Sequence, residues 1–124
     1  MSPLPSFIKL AALIGFLGVA LGAFGAHGLA EILKTHGTAE TWKTASHYHL
    51  IHAVVLLILG VVGGSEPMAR FARLSFLGGV AIFSGTLYVL SVTGIRWLGA
   101  ITPIGGLLLM VGWLLVAFRR WPKA

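Results

Sequence analysis

A chain of 124 residues that is 57% hydrophobic and only 10% charged, with mean hydropathy +0.96, is no ordinary soluble domain. Its net charge of +6 and pI near 10.6 suggest basic residues flanking membrane spans, because no aromatic-basic pattern on a polar face calls for nucleic acid. The absence of cysteine excludes a disulfide framework, a thiolate metal site and a redox thiol.

The first apolar run covers residues 6–30, against the ~20 residues a helix needs to cross the hydrocarbon core. Lys9 and the small residues around Ala23-Phe24-Gly25 faintly suggest a secretion signal. The run is longer than a signal's apolar core and opens a regular series, so it reads as a retained helix. Gly18, Gly22 and Ala26 recur every four residues, with Gly15 and Gly25 nearby. Such a ridge is expected to let two helix backbones approach in lipid. Gly37 is expected to end this helix, and Thr38 to cap the next, with Glu40 in its first turn.

The second run covers residues 44–63 and leads into Gly63-Gly64-Ser65-Glu66-Pro67, a tight turn with Ser65 as the expected cap. The third covers 68–93 and repeats the small-residue spacing at Ser75 with Gly79 and Ala81 with Gly85. Thr102-Pro103 reads as an N-cap followed by proline at the first helical position, opening the fourth run at 101–121. The expected fold is all-α, a four-transmembrane-helix bundle making a single domain over residues 1–124. Lys9, Arg70, Arg73, Arg119, Arg120 and Lys123 fall on one side and Lys34, Lys43 and Arg96 on the other. That bias places both termini in the cytoplasm.

No run carries a carboxylate at its centre, which disfavours the simplest proton-coupled pump. The remaining chemistry lies in histidine. At ~100° per residue, His52 falls between Tyr48 and His49 around the second helix, while His47 points away. With Gly37 as hinge, His27 sits at a depth similar to His47 and is expected to meet this face across the helix pair. Paired imidazoles suit zinc or copper, facing histidines suit a haem, and a histidine-tyrosine face suits proton relay. The favoured alternative is structural: His27 and His52 donate to backbone carbonyls and stitch the hairpin, while His36, His47 and His49 sit in headgroups or water. Trp113, inside the fourth run, is expected to pack against a neighbouring helix.

On the third helix Ala81, Ser84, Tyr88 and Ser91 share a face, where small hydroxyl residues more often bond to a helix than line a path. The amides near Thr102, with Arg96, offer a place for an anionic headgroup. The candidate polar or binding face therefore comprises His27, Tyr48, His52, Ser84, Tyr88 and Thr102. No nucleophile-base pair, paired carboxylates or phosphate loop is present, so no catalytic residue, metal site, cofactor or enzymatic activity is expected.

Several segments carry a family resemblance. Gly22-Ala23-Phe24-Gly25-Ala26-His27-Gly28-Leu29 resembles the first-helix motif of the small bacterial membrane proteins grouped as domain-of-unknown-function family 423, related to vertebrate transmembrane protein 256. Ala45 with Tyr48 and His52-Ala53, then Phe83-Ser84-Gly85-Thr86-Leu87-Tyr88, are similar too. So is Leu98-Gly99-Ala100-Ile101-Thr102-Pro103-Ile104-Gly105-Gly106, followed by Gly112-Trp113. The family pattern includes His27, Tyr48 and His52 but has other polar residues in place of His47 and His49. The resemblance implies a four-helix protein of the bacterial inner membrane and no particular activity.

Together these readings predict a non-enzymatic structural or accessory component acting through helix packing, lipid contact or a membrane partner. The bilayer is its expected surrounding and a homo-oligomer a candidate assembly. The runner-up is a small transporter or channel with a His/Tyr/Ser path, and the third a haem- or metal-binding redox subunit built on His27 with His52.

Overall fold

The computed structural model of the protein describes residues 2–121, so Lys123 lies outside the described residues. Among them every regular element is a helix: α1 (Pro5–Ala26), α2 (Ala30–His36), α3 (Ala39–Val62), α4 (Pro67–Thr93), a 3-10 turn (Arg96–Ala100) and α5 (Thr102–Phe118). Four spans are long and apolar enough to cross a membrane: α1, α3, α4 and the segment Arg96–Phe118. The four-span all-α architecture expected from the hydropathy is therefore present.

Its boundaries differ from the apolar runs. The first helix stops at Ala26, not near Ala30, because His27 to Leu29 form a turn in which the Leu29 N–H donates to the Phe24 carbonyl. The chain resumes as the short α2, which folds over the bundle end and buries Leu33. Gly37, at φ +65°, ends α2 in the left-handed conformation that glycine adopts without a Cβ penalty. Apolarity sets which residues can be in lipid, whereas turn and cap geometry set where each helix ends.

The three expected side-chain caps are not formed. Thr38 occupies the cap position of α3, but its hydroxyl donates across the bundle to the Ser91 carbonyl at 2.7 Å. Glu66, not Ser65, caps α4, and without a side-chain cap bond. Ile101 precedes α5, and Thr102 lies inside its first turn with its hydroxyl 2.7 Å from that of Thr86. In lipid a hydroxyl that links two helices satisfies buried groups at both ends, which competes with local capping.

In the bundle α3 packs against α1 and α4, and α5 packs against α4, close enough to α3 for Trp113 to reach His52. The core gathers Ala11 from α1, Leu56 and Leu59 from α3, Phe76 and Val80 from α4, and Leu109 from α5. Glycines govern the close approaches. A Cβ on Gly105 would lie 2.4 Å from the Phe83 backbone nitrogen, one on Gly79 would meet Leu109, and one on Gly112 would meet the Phe76 ring. On α1 the contacting small residues are Gly15, Gly18 and Gly25, against Ala53, Leu50 and Trp42, whereas nothing lies near Gly22 and Ala26 is exposed. The α1 ridge is thus turned from the one expected, following the ~3.5-residue repeat of a left-handed helix pair instead of a strict four-residue row.

Two ends result. The Leu4 N–H donates to the Gly60 carbonyl, and Arg119 reaches Glu66 and the Gly63 carbonyl. The N-terminal segment, the α3–α4 turn and the end of α5 therefore share one end. The other holds α2, the α2–α3 turn and the 3-10 turn, where a Cβ on Gly94 would meet the His36 ring.

Candidate functional site

The polar residues of the spans form two clusters on opposite flanks of the α3–α4 contact. The contact itself is made by Ser84, whose hydroxyl donates to the Ala45 carbonyl at 2.8 Å, with both residues fully buried. Taking Tyr48 as zero and ~100° per residue, Ala45 sits near ~60° on α3, between His52 near ~40° and His49 near ~100°. Docking α4 on that line sends the two histidines to different sides.

On the α3–α5 side, His52 is 4% exposed. Its Nδ1 lies 2.8 Å from the Tyr48 carbonyl, and its Nε2 accepts from the Trp113 indole N–H at 3.1 Å. A carbonyl only accepts and an indole N–H only donates, so the ring is the neutral Nδ1–H tautomer. Phe76 and Trp113 pack around it, and the ring of Tyr48 is stacked 6.1 Å away, itself 41% exposed toward the surface. An open-sided cavity of about 470 Å³ lies here, bounded by Tyr48, His52, Phe83 and Trp113.

On the α1–α4 side, His49 is also 4% exposed. Its Nε2–H donates to the Ile14 carbonyl of α1 at 2.8 Å, and its Nδ1 accepts from the Tyr88 hydroxyl of α4 at 2.8 Å. Gly18 makes the approach feasible, since a Cβ there would lie 3.2 Å from the His49 ring carbon Cδ2. Ser46 Oγ lies 3.4 Å from the Tyr88 hydroxyl, and Trp42 packs on the Tyr88 ring while donating to the Leu21 carbonyl. An open-sided, mainly apolar cavity of about 430 Å³ is lined here by His49, Ser84 and Tyr88 together with leucines of α1.

The six residues expected to share one face are thus dispersed. Tyr48 and His52 form one cluster, Ser84 and Tyr88 belong with His49 or its border, and Thr102 pairs with Thr86 near the α2 end. His27 joins none of them: it lies exposed in the turn after α1. The expected His27–His52 pair is not formed, because α1 ends before His27 could face α3. His52 bonds a backbone carbonyl as expected, but that of its own helix, and its cross-helix partner is Trp113. His49, expected in headgroups or water, is the most fully cross-linked of the histidines. Its signal was its place one turn from Ala45 on the buried side, together with Tyr88 at the corresponding depth of α4. No group of three or more metal-ligating side chains converges among the described residues.

The model of the family described as "Protein of unknown function (DUF423)" matches residues 21–106, which include both clusters apart from Ile14, Gly18 and Trp113. The chain belongs to this family. Its curated relatives include a UPF0382 membrane protein of Staphylococcus aureus (strain bovine RF122 / ET3-1), 41% identical over 95% of this chain and 97% of the relative. A UPF0382 membrane protein of Staphylococcus haemolyticus is 45% identical over 89% and 90%. The UPF0382 membrane protein YwdK of Bacillus subtilis is 40% identical over 89% and 91%. No solved structure matches. As a DUF423 member, the chain is a membrane protein whose apolar helix faces meet the lipid bilayer, in keeping with the exposure of Leu13, Phe16, Leu107 and Phe118.

Proposed function

We propose that this DUF423 protein is a non-enzymatic structural or accessory component of the bacterial cytoplasmic membrane, with both termini in the cytoplasm. One observation carries the reading: the inward polar side chains of the spans close on one another and on backbone carbonyls. His49, His52, Ser84, Ser91 and Trp113 each bond within the bundle. Groups committed in this way rigidify a helix bundle and leave its working surface outside, toward lipid or a second membrane protein. The imidazole lone pairs of His49 and His52 already accept hydrogen bonds, so a metal or haem iron would have to displace Tyr88 or Trp113 to gain a ligand. The cytoplasmic placement rests on Lys9, Arg70, Arg73, Arg119 and Arg120 at one end, against Lys34, Lys43 and Arg96 at the other.

The test is reconstitution into liposomes with an internal ion- or pH-sensitive dye, paired with native mass spectrometry of membrane-extracted material. No flux above empty liposomes, with a defined homo-oligomer or stoichiometric membrane partner, is the expected result. Selective, saturable flux abolished by Tyr88→Phe would replace the accessory role by a transport role. The cavity beside His49, Ser84 and Tyr88 is the observation that favours that second reading.

A further inference from the structure

We propose that His49 is a proton-binding site inside the bundle, loaded from the α2 end through Ser46 and Tyr88. The inference stands apart from the accessory role, since a site loaded from one side requires no net transport.

The two buried histidines differ in what faces them. Protonated His49 would donate from both nitrogens, to the Ile14 carbonyl and to the Tyr88 oxygen, each 2.8 Å away and each able to accept. Protonated His52 would bring an Nε2–H against the Trp113 N–H, which only donates. Three residues apart on one helix, the first ring has room for a second proton and the second does not.

A hydrogen-bonded line leads to His49 from the α2 end, while the other cavity beside the ring is mainly apolar. A cavity of about 430 Å³ is bounded by Gly25, Leu33, Lys43, Ser46 and His47, so it lies beneath α2 beside the exposed start of α3. Ser46 lines this cavity, and its Oγ is 3.4 Å from Tyr88 Oη, which is 2.8 Å from His49 Nδ1. The transfer balances along that line. A hydronium ion in the cavity gives a proton to Ser46 Oγ and remains as water, the original Ser46 hydrogen passes to Tyr88 Oη, and the original Tyr88 hydrogen passes to His49 Nδ1. One proton has entered and the positive charge rests on the imidazole. Tyr88 has turned from donor toward His49 into donor toward Ser46. Beyond His49, Nε2–H meets only the Ile14 carbonyl, which takes no proton onward, so the route is blind.

The charges around the ring are sparse. From α1 the ring meets the Ile14 carbonyl with the apolar Leu17 and Leu21 beside it, and from α4 the uncharged Ser84 and the phenol of Tyr88. On α3 itself His52 lies one turn deeper, while Lys43 and His47 border the entry cavity. Glu31, Lys34 and His36 belong to α2 at the bundle end, and the other carboxylates, Glu40 and Glu66, stand at helix starts. Among the described residues no carboxylate faces the imidazole, so hydrogen bonding to Ile14 and Tyr88 is what supports the charged form.

The test is nitrogen NMR of ring-labelled histidine in the full chain in detergent micelles over pH 4 to 8, with His49→Gln assigning the signal. The expected result is reversible conversion of His49 from the Nε2–H tautomer to imidazolium. Trp42 emission should change at the same midpoint, because its ring centroid is 4.7 Å from that of Tyr88. Tyr88→Phe removes the acceptor of the charged form and should require at least tenfold more acid. Ser46→Ala, which keeps Tyr88 but removes its acceptor, should move the midpoint the same way by less. No conversion of His49 before unfolding overturns the proposal. So does a midpoint indifferent to both substitutions in variants that keep the parent's helix content and cooperative unfolding.

Discussion

Trp113 donates its indole N–H to Nε2 of His52 at 3.1 Å, joining α5 to α3. Both partners lie in the spans, where neither can exchange its bond for water. Replacing His52 by Ala removes the acceptor and opens space beside Phe76, with an expected cost of about 2–4 kcal/mol. Trp113→Phe keeps an aromatic ring and should cost less. A double-mutant cycle, read by reversible unfolding in mixed micelles, should give a coupling of about 0.6–1.7 kcal/mol. A coupling indistinguishable from zero would mean that the bond contributes only shape.

Glycines of similar appearance in the sequence should behave oppositely. A methyl at Gly105 would lie 2.4 Å from the Phe83 backbone nitrogen, and backbone cannot move aside as a flexible side-chain end can. Gly105→Ala must push α5 away from α4, with an expected loss of about 1–3 kcal/mol. Gly22 has no atom within 4 Å of an added Cβ, so Gly22→Ala should gain up to about 1 kcal/mol from helix propensity. Thermal unfolding of the two variants decides the matter, and a Gly22→Ala chain less stable than its parent would show that Gly22 is itself a close helix contact.

That contrast shows how much of the fold was legible in the sequence. Four spans follow from hydropathy alone, because lipid demands length and apolarity. Trp113 packing against a neighbouring helix, Pro67 in the first turn of α4 and Gly37 as a helix stop are equally local signals. Rotation about each helix axis is not local. It arises from which ridge meets which groove, so the reading placed His27 with His52 and left His49 outside. Knowing that Ala45 rather than Tyr48 faces α4 would have sent His49 and His52 to separate flanks. The caps failed for a related reason: Thr38 and Thr102 have cap chemistry, but a partner across the bundle used it first.

Glu66 and Arg119 close the end of the bundle that holds Leu4, the α3–α4 turn and the end of α5. Arg119 is 8% exposed, its Nε donates to Glu66 at 2.5 Å, Nη2 donates to the Gly63 carbonyl, and the Trp121 ring covers it at 4.3 Å. The Glu66 carboxyl is held below its ordinary range, first by its own backbone N–H and then by Arg119. A depressed carboxylate contributes stability that is present above its unfolded value, near ~4.3, and is lost as pH falls through the folded value. Stability should therefore be flat near neutral pH and fall on acidification below the normal glutamate range. Glu66→Gln should lower the thermal midpoint at pH 7 slightly and flatten that acid limb. An acid limb unchanged in Glu66→Gln would assign it to other groups.

Orientation is open to a clean measurement because the chain has no cysteine to interfere. Single cysteines at Ser2 and Arg120 mark one end of the bundle, and one at Thr35 in α2 marks the other. All three positions are exposed, and none holds a helix-helix contact. In intact cells a membrane-impermeant maleimide should label Thr35→Cys and leave Ser2→Cys and Arg120→Cys unlabelled until the membrane is opened. The asymmetry rests on Arg70, Arg73, Arg119 and Arg120 crowding one end, where translocation of arginine is costly and the anionic inner leaflet attracts it. Labelling of Ser2→Cys from outside would invert the protein. It would also place the entry cavity beneath α2, and with it access to His49, on the cytoplasmic side. With the expected orientation, protons reach that cavity from the exterior.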